Sequence, residues 1–181
     1  MNPERLKKNL MDVLEEDQLK LGYRKETVRL FYPRRSVCYL LGISPETDRL
    51  KEELDRFRHA VEPELGTIQI SYLKDGRIGF SLPPEAAEFV HRTRLDVGFL
   101  KDLVELMRHH GHSLDDVIHL FSRYSPAVEI QYMKNEEFDL LLHFPDGYPD
   151  DYYYCITKEG EHISYHRFIR EDYEDLQIQN Q

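Results

Sequence analysis

VEIQYMKNEEFDLLLHFPDGYPDDYYYCITKEGEHISYHRFI, residues 128–169, decides the fold. Apolar and polar side chains alternate in four runs, near Val128–Met133, Phe138–Phe144, Tyr152–Thr157 and His162–Ile169, separated by KNEE, PDGYPDD and KEGE. Successive side chains of a strand point to opposite faces, so these runs predict a four-stranded antiparallel meander with one buried face. Parity assigns Leu140, Leu142, Phe144, Tyr152, Tyr154, Ile156, Ile163 and Tyr165 to the core. The same parity leaves Asp139, His143, Tyr153, Cys155, His162, Ser164 and His166 on a polar face.

Upstream, residues 1–125 read as mostly helical. Asn2 and Pro3 make a cap and first turn ahead of Leu6, Leu10, Val13 and Leu14, and Gly22 closes that helix. Thr27–Tyr32 is β-prone, Pro33 interrupts it, and Ser36–Leu41 forms a short helix. Ser44-Pro45 repeats the cap-then-proline signal, with Leu50, Leu54, Phe57 and Val61 at helical spacing behind it and Pro63 and Gly66 at its end. Thr67–Leu73 and Arg77–Leu82, joined by Lys74-Asp75-Gly76, predict an internal hairpin. Helices follow over Glu85–Arg92, over Asp96–His110 with Val97, Leu100, Leu103, Val104 and Met107 on one face, and from the capping-box pair Ser113 and Asp116 to Tyr124. The expectation is one α+β domain over residues 1–181. Amphipathic helices pack on the antiparallel β-meander at 126–170, a hairpin occupies 67–82, and a solvated acidic tail covers 171–181.

With 24 Lys and Arg against 34 Asp and Glu, the net charge is −10. Such a chain lacks the clustered cations that displace counterions from a phosphate backbone, which excludes a general nucleic-acid binder. Residues 1–35 carry +3, 36–125 carry −4 and 126–181 carry −9. A hydrophobic content of 40% excludes wholesale disorder. Cys38 and Cys155 stand in none of the close spacings of zinc or dithiol sites. The amino-terminal MNPERLKKNLMDVLEEDQ has no apolar core of a secretory signal, and Val37–Leu41 is far too short to span a bilayer. A cytoplasmic protein without membrane contact is expected.

The segment LGYRKETVRLFYP, Leu21 to Pro33, together with SPETDRLKEEL and the acidic β-rich end, resembles a small family of uncharacterised bacterial proteins over nearly the whole chain. The resemblance implies a bacterial protein of unknown function and carries no functional residues with it.

His109, His110 and His112 look like a metal cluster, but adjacent helical positions point about 100° apart, and cationic side chains suit the last turn of a helix. No metal and no cofactor is expected. The loop Pro145–Asp151 offers three carboxylates without calcium-loop spacing and reads as a turn. GxGxxG, GxxxxGK[ST] and GxSxG are absent. If the KEGE turn pairs Thr157 with His162, Tyr153 falls opposite His166, and a matching register sets His143 on its other side. That His143–Tyr153–His166 row is the catalytic or ligand-binding alternative. The leading expectation is a non-catalytic interaction protein, a homo-oligomer or the binder of an unidentified protein or small molecule. Its surface would be Tyr148, Asp150, Asp151 and Tyr153, since tyrosine gives amphipathic contact area at low entropic cost.

Overall fold

The computed structural model describes residues 2–94, 98–133 and 137–179, which run as seven helices and seven strands. They divide into two units, Met1–Asp96 and Val97–Gln181.

The first unit contains α1 (Pro3–Leu21), β1 (Val28–Tyr32), α2 (Arg34–Leu41), α3 (Leu50–Leu65), β2 (Gln69–Tyr72), β3 (Ile78–Leu82) and α4 (Pro84–Thr93). Helix α1 starts at Pro3 and buries Leu6, Leu10 and Leu14 as the 3.6-residue period requires. The 67–82 hairpin does not stand alone. Strand β1 pairs with β3, giving a three-stranded sheet in the order β1-β3-β2 in which Leu30, Phe80 and Ile70 align. The Ser44-Pro45 helix start is also corrected, because α3 begins only at Leu50. The Ser44 hydroxyl bonds the Glu46 carboxylate and accepts from the Glu46 N–H at 3.3 Å, so this serine closes a local turn instead of capping a helix.

The second unit contains α5 (Phe99–Arg108), α6 (Leu114–Tyr124), β4 (Glu129–Tyr132), β5 (Leu140–His143), β6 (Tyr153–Glu159), β7 (His162–Phe168) and α7 (Arg170–Gln179). The strands form the expected meander, in the order β4-β5-β6-β7 and antiparallel throughout. Both halves of the Ser113–Asp116 capping box are present at the start of α6. Helix α5 is shorter than the Asp96–His110 expectation: it ends at Arg108, and His109 is already extended. The positions of Asp96 and Val97, and of Lys134, Asn135 and Glu136 in the KNEE connection, lie outside the described residues. Of the eight residues parity assigned to the core, Leu140, Leu142, Phe144, Tyr152, Tyr154, Ile156 and Ile163 are buried, while Tyr165 is only half-buried. Against them pack Phe99 of α5 and Phe121 of α6, whose rings meet Phe144 and Tyr154 at centroid distances of 5.1 to 5.5 Å.

Two further expectations about this unit change. The β6–β7 turn is Gly160-Glu161, with Gly160 at φ 61°, so Glu159 pairs with His162 and every partner moves two residues from the expected register. Glycine at the first central position of a two-residue hairpin suits a type II′ turn, which lets both strands continue further than a four-residue loop allows. A shift of two keeps each side chain on its face but changes whom it meets. The tail is likewise not a solvated end. Residues Arg170–Gln179 form α7, where Tyr173 and Leu176, three positions apart, cover the second face of the sheet with Phe138, Leu141, Cys155 and Phe168. Their helical spacing sits among acidic residues that dominated the reading of the tail.

Candidate functional site

The second face of the meander carries two cross-strand rows. Glu129, His143, Tyr153 and Phe168 align in one, and Gln131, Leu141, Cys155 and His166 in the next. The structure therefore joins His143 to Tyr153 but sets His166 opposite Cys155. The His143 ring stacks on Tyr153 at 4.4 Å and 12°, and Tyr153 stacks in turn on Tyr173 of α7 at 4.9 Å and 15°. His143 Nδ1 lies 3.3 Å from a Glu129 carboxylate oxygen. His166 meets Phe138 edge-on, at 5.9 Å. Three stacked rings under a helix make a packing column. Burial pushes the neighbouring Cys155 thiol up to about 12, so at neutral pH it is a protonated core side chain and no nucleophile.

The acidic loop divides in the same way. Tyr148 is 66% exposed, and Asp151 is exposed beside it. Asp150 turns inward. Its carboxylate accepts from the Tyr152 N–H at 3.1 Å and from the Tyr154 hydroxyl at 2.6 Å. Burial first, and then the Asp150 charge, hold the Tyr154 phenol well above its ordinary range, with Arg167 opposing them. The Arg167 guanidinium also lies 4.5 Å over the Tyr152 ring. Of the four residues expected to bind a partner, Tyr148 and Asp151 thus face solvent, while Asp150 and Tyr153 serve the fold.

A feature the sequence reading missed lies between α5 and α6, a groove of about 580 Å³ with Leu106 and Leu120 among its lining residues. Asp102, Glu105 and His109 line it from the α5 side, and His112, Asp116, His119 and Arg123 from the α6 side. The signal was present: 102, 105 and 109, and 112, 116, 119 and 123, recur at three- and four-residue intervals, the period of one helix face. His143, Tyr153 and His166 are not among its lining residues.

Three carboxylates, Asp102, Glu105 and Asp116, and one guanidinium, Arg123, line the groove. The His109 ring, 3.1 Å away, holds the Glu105 carboxyl below its usual range, helped by Arg108. The Ser113 N–H and hydroxyl do the same for Asp116. Asp102 accepts from Arg123 at 2.6 Å and from the Tyr124 hydroxyl at 2.7 Å. Glu105 and Asp116 therefore stay ionised through neutral pH and well into the acid range. Among the described residues no group of three or more His, Cys, Asp and Glu side chains is arranged to hold a metal ion.

Comparison with known proteins returns one family and no relative. No curated protein and no solved structure matches the chain. Residues 3–177 match the family model described as "Domain of unknown function, E. rectale Gene description (DUF3877)". The chain belongs to the DUF3877 family, a bacterial domain.

Proposed function

We propose that the chain is a non-catalytic cytoplasmic binding protein whose carboxy-terminal unit takes a basic partner, a Lys- or Arg-bearing protein segment, in the α5–α6 groove. One observation carries this reading: the groove holds three carboxylates, two of them with depressed pKa, over apolar Leu106 and Leu120, within a unit of net charge −10. An apolar floor with an acidic rim complements a cationic amphipathic segment, and opposite charge steers its approach. The same field repels nucleic acid. Among the described residues no helix is long and apolar enough to cross a membrane, in keeping with the compartment proposed. The enzymatic alternative has less behind it, because His143 and Tyr153 are stacked under α7 and His166 lies outside their row.

A fluorescein-labelled Lys/Arg-rich decapeptide tests this by anisotropy. It should bind at low salt and weaken steadily as salt is added, since exposed charges are screened. Glu105→Gln should weaken binding by about three- to tenfold, the range of a close charge contact, and Asp146→Asn in the exposed loop should not. Absence of binding, or an equal loss from the loop substitution, overturns the reading. Light scattering at low and high salt covers the remaining occupant, a second copy of the chain.

A further inference from the structure

The α5–α6 connection and the β6–β7 turn are tied by two hydrogen bonds, Gly111 N–H to the Glu161 carbonyl at 3.1 Å and the Lys158 ammonium to the His112 carbonyl at 2.9 Å. Those ties bring together two histidines that are 52 positions apart in the chain. His110 follows α5 and His162 opens β7. Their Nδ1 atoms lie 3.1 Å apart, and both residues are exposed. We propose that His110 and His162 form a two-imidazole clasp for a divalent transition-metal ion such as zinc or nickel.

Metal–imidazole bonds of about 2.0–2.1 Å place two neighbouring ligand nitrogens about 2.9–3.4 Å apart, which brackets the observed separation. The rings are 16° from parallel with centroids 4.6 Å apart. Coordination therefore requires each to turn about its Cβ–Cγ bond, a soft torsion at an exposed position. In the metal-free pair one Nδ1 donates its proton to the other. On binding, that ring carries its proton on Nε2 and both Nδ1 lone pairs face the ion. Two imidazoles supply the protein ligands, and water completes the shell. Imidazole suits zinc, nickel and copper, and the unit's −10 charge attracts a cation. Lys158 is the nearby opposing charge, and its ammonium is directed to the His112 carbonyl. The sequence showed His110 only beside His109 and His112; the topology supplies His162.

Zinc chloride titrated into the full-length protein at pH 7.5 and followed by calorimetry should saturate at one ion per chain. Nickel should broaden the imidazole NMR signals of His110 and His162 first. His110→Ala and His162→Ala should each weaken zinc by about 100-fold, the loss when two tethered ligands become one, while His109→Ala leaves it within about twofold. Zinc affinity unchanged in His110→Ala/His162→Ala, or first broadening at His109, His112 or His119, overturns the proposal.

Discussion

The two units solve the same folding problem with different chemistry. Residues 1–96 hold 17 cations and 17 anions and two of the nine histidines; residues 97–181 hold 7 cations, 17 anions and the other seven. The neutral unit buries charge. Asp12, only 5% exposed, sits between Lys8 and Arg94, and Arg94 also bonds Glu15. Asn9, Ser36 and Glu53 are buried there too. The acidic unit keeps most of its charge outside and builds its core from the rings of Phe99, Phe121, Phe144 and Tyr154. A balanced composition can spend its ions in internal pairs. An unbalanced one leaves carboxylates at the surface, where a partner can use them.

The sharpest way to break this contrast is to remove one ring. Phe121→Ala should cost about 3–5 kcal/mol in urea denaturation, as for other buried aromatics. Hydrogen exchange should accelerate in β6 and just beyond the end of β5, where Phe121 meets Tyr154 and Phe144. A loss below 1 kcal/mol, taken as roughly the cost of an ordinary substitution, would mean the aromatic cluster is not what holds the unit. In the neutral unit, Arg94→Ala removes a cation paired with the buried Asp12 and should cost about 3 kcal/mol. The exposed Arg123–Asp102 pair supplies the counterpart: Arg123→Ala should cost under about 1 kcal/mol. Equal losses would erase the distinction between buried and surface ions.

Alkali should weaken the second unit next. A thiol whose folded pKa stands at about 12 is favoured by the fold only while it is protonated. Its stabilisation is complete below the unfolded value of about 8.5 and is lost as pH rises toward the folded one, a few kcal/mol in all. Tyr154 and Tyr173 are shifted in the same direction, Tyr154 far more strongly. Exchange protection in the sheet and α7 should therefore fall between about pH 9 and 12, and Cys155→Ala should flatten that slope. A fall confined to lower pH would contradict it. The smallest effect belongs to His166→Ala, an exposed position whose loss should stay within about 0.5 kcal/mol.

What was legible followed from periodicity. Alternation in 128–169 placed the core face of the meander, and the capping pair Ser113 and Asp116 placed α6. Parity is local, so it survives an error in turn length. Register does not, because one glycine in a two-residue turn moved Tyr153 from His166 to Phe168. Helix α7 was hidden because Tyr173 and Leu176 are two side chains among acids, and only the sheet face they cover gives that spacing meaning. The groove needed both helices at once. Each polar stripe alone reads as a solvated face, and their facing one another is a tertiary fact.

The most direct measurement is a ¹⁵N–¹H NMR titration of the full-length protein with the Lys/Arg-rich decapeptide at low salt. Shifts concentrated at Asp102, Glu105, Asp116 and His119, and abolished by added salt, are the predicted result. Shifts confined to Pro145–Asp151 or to residues 1–96, or no shifts at all, would contradict the account.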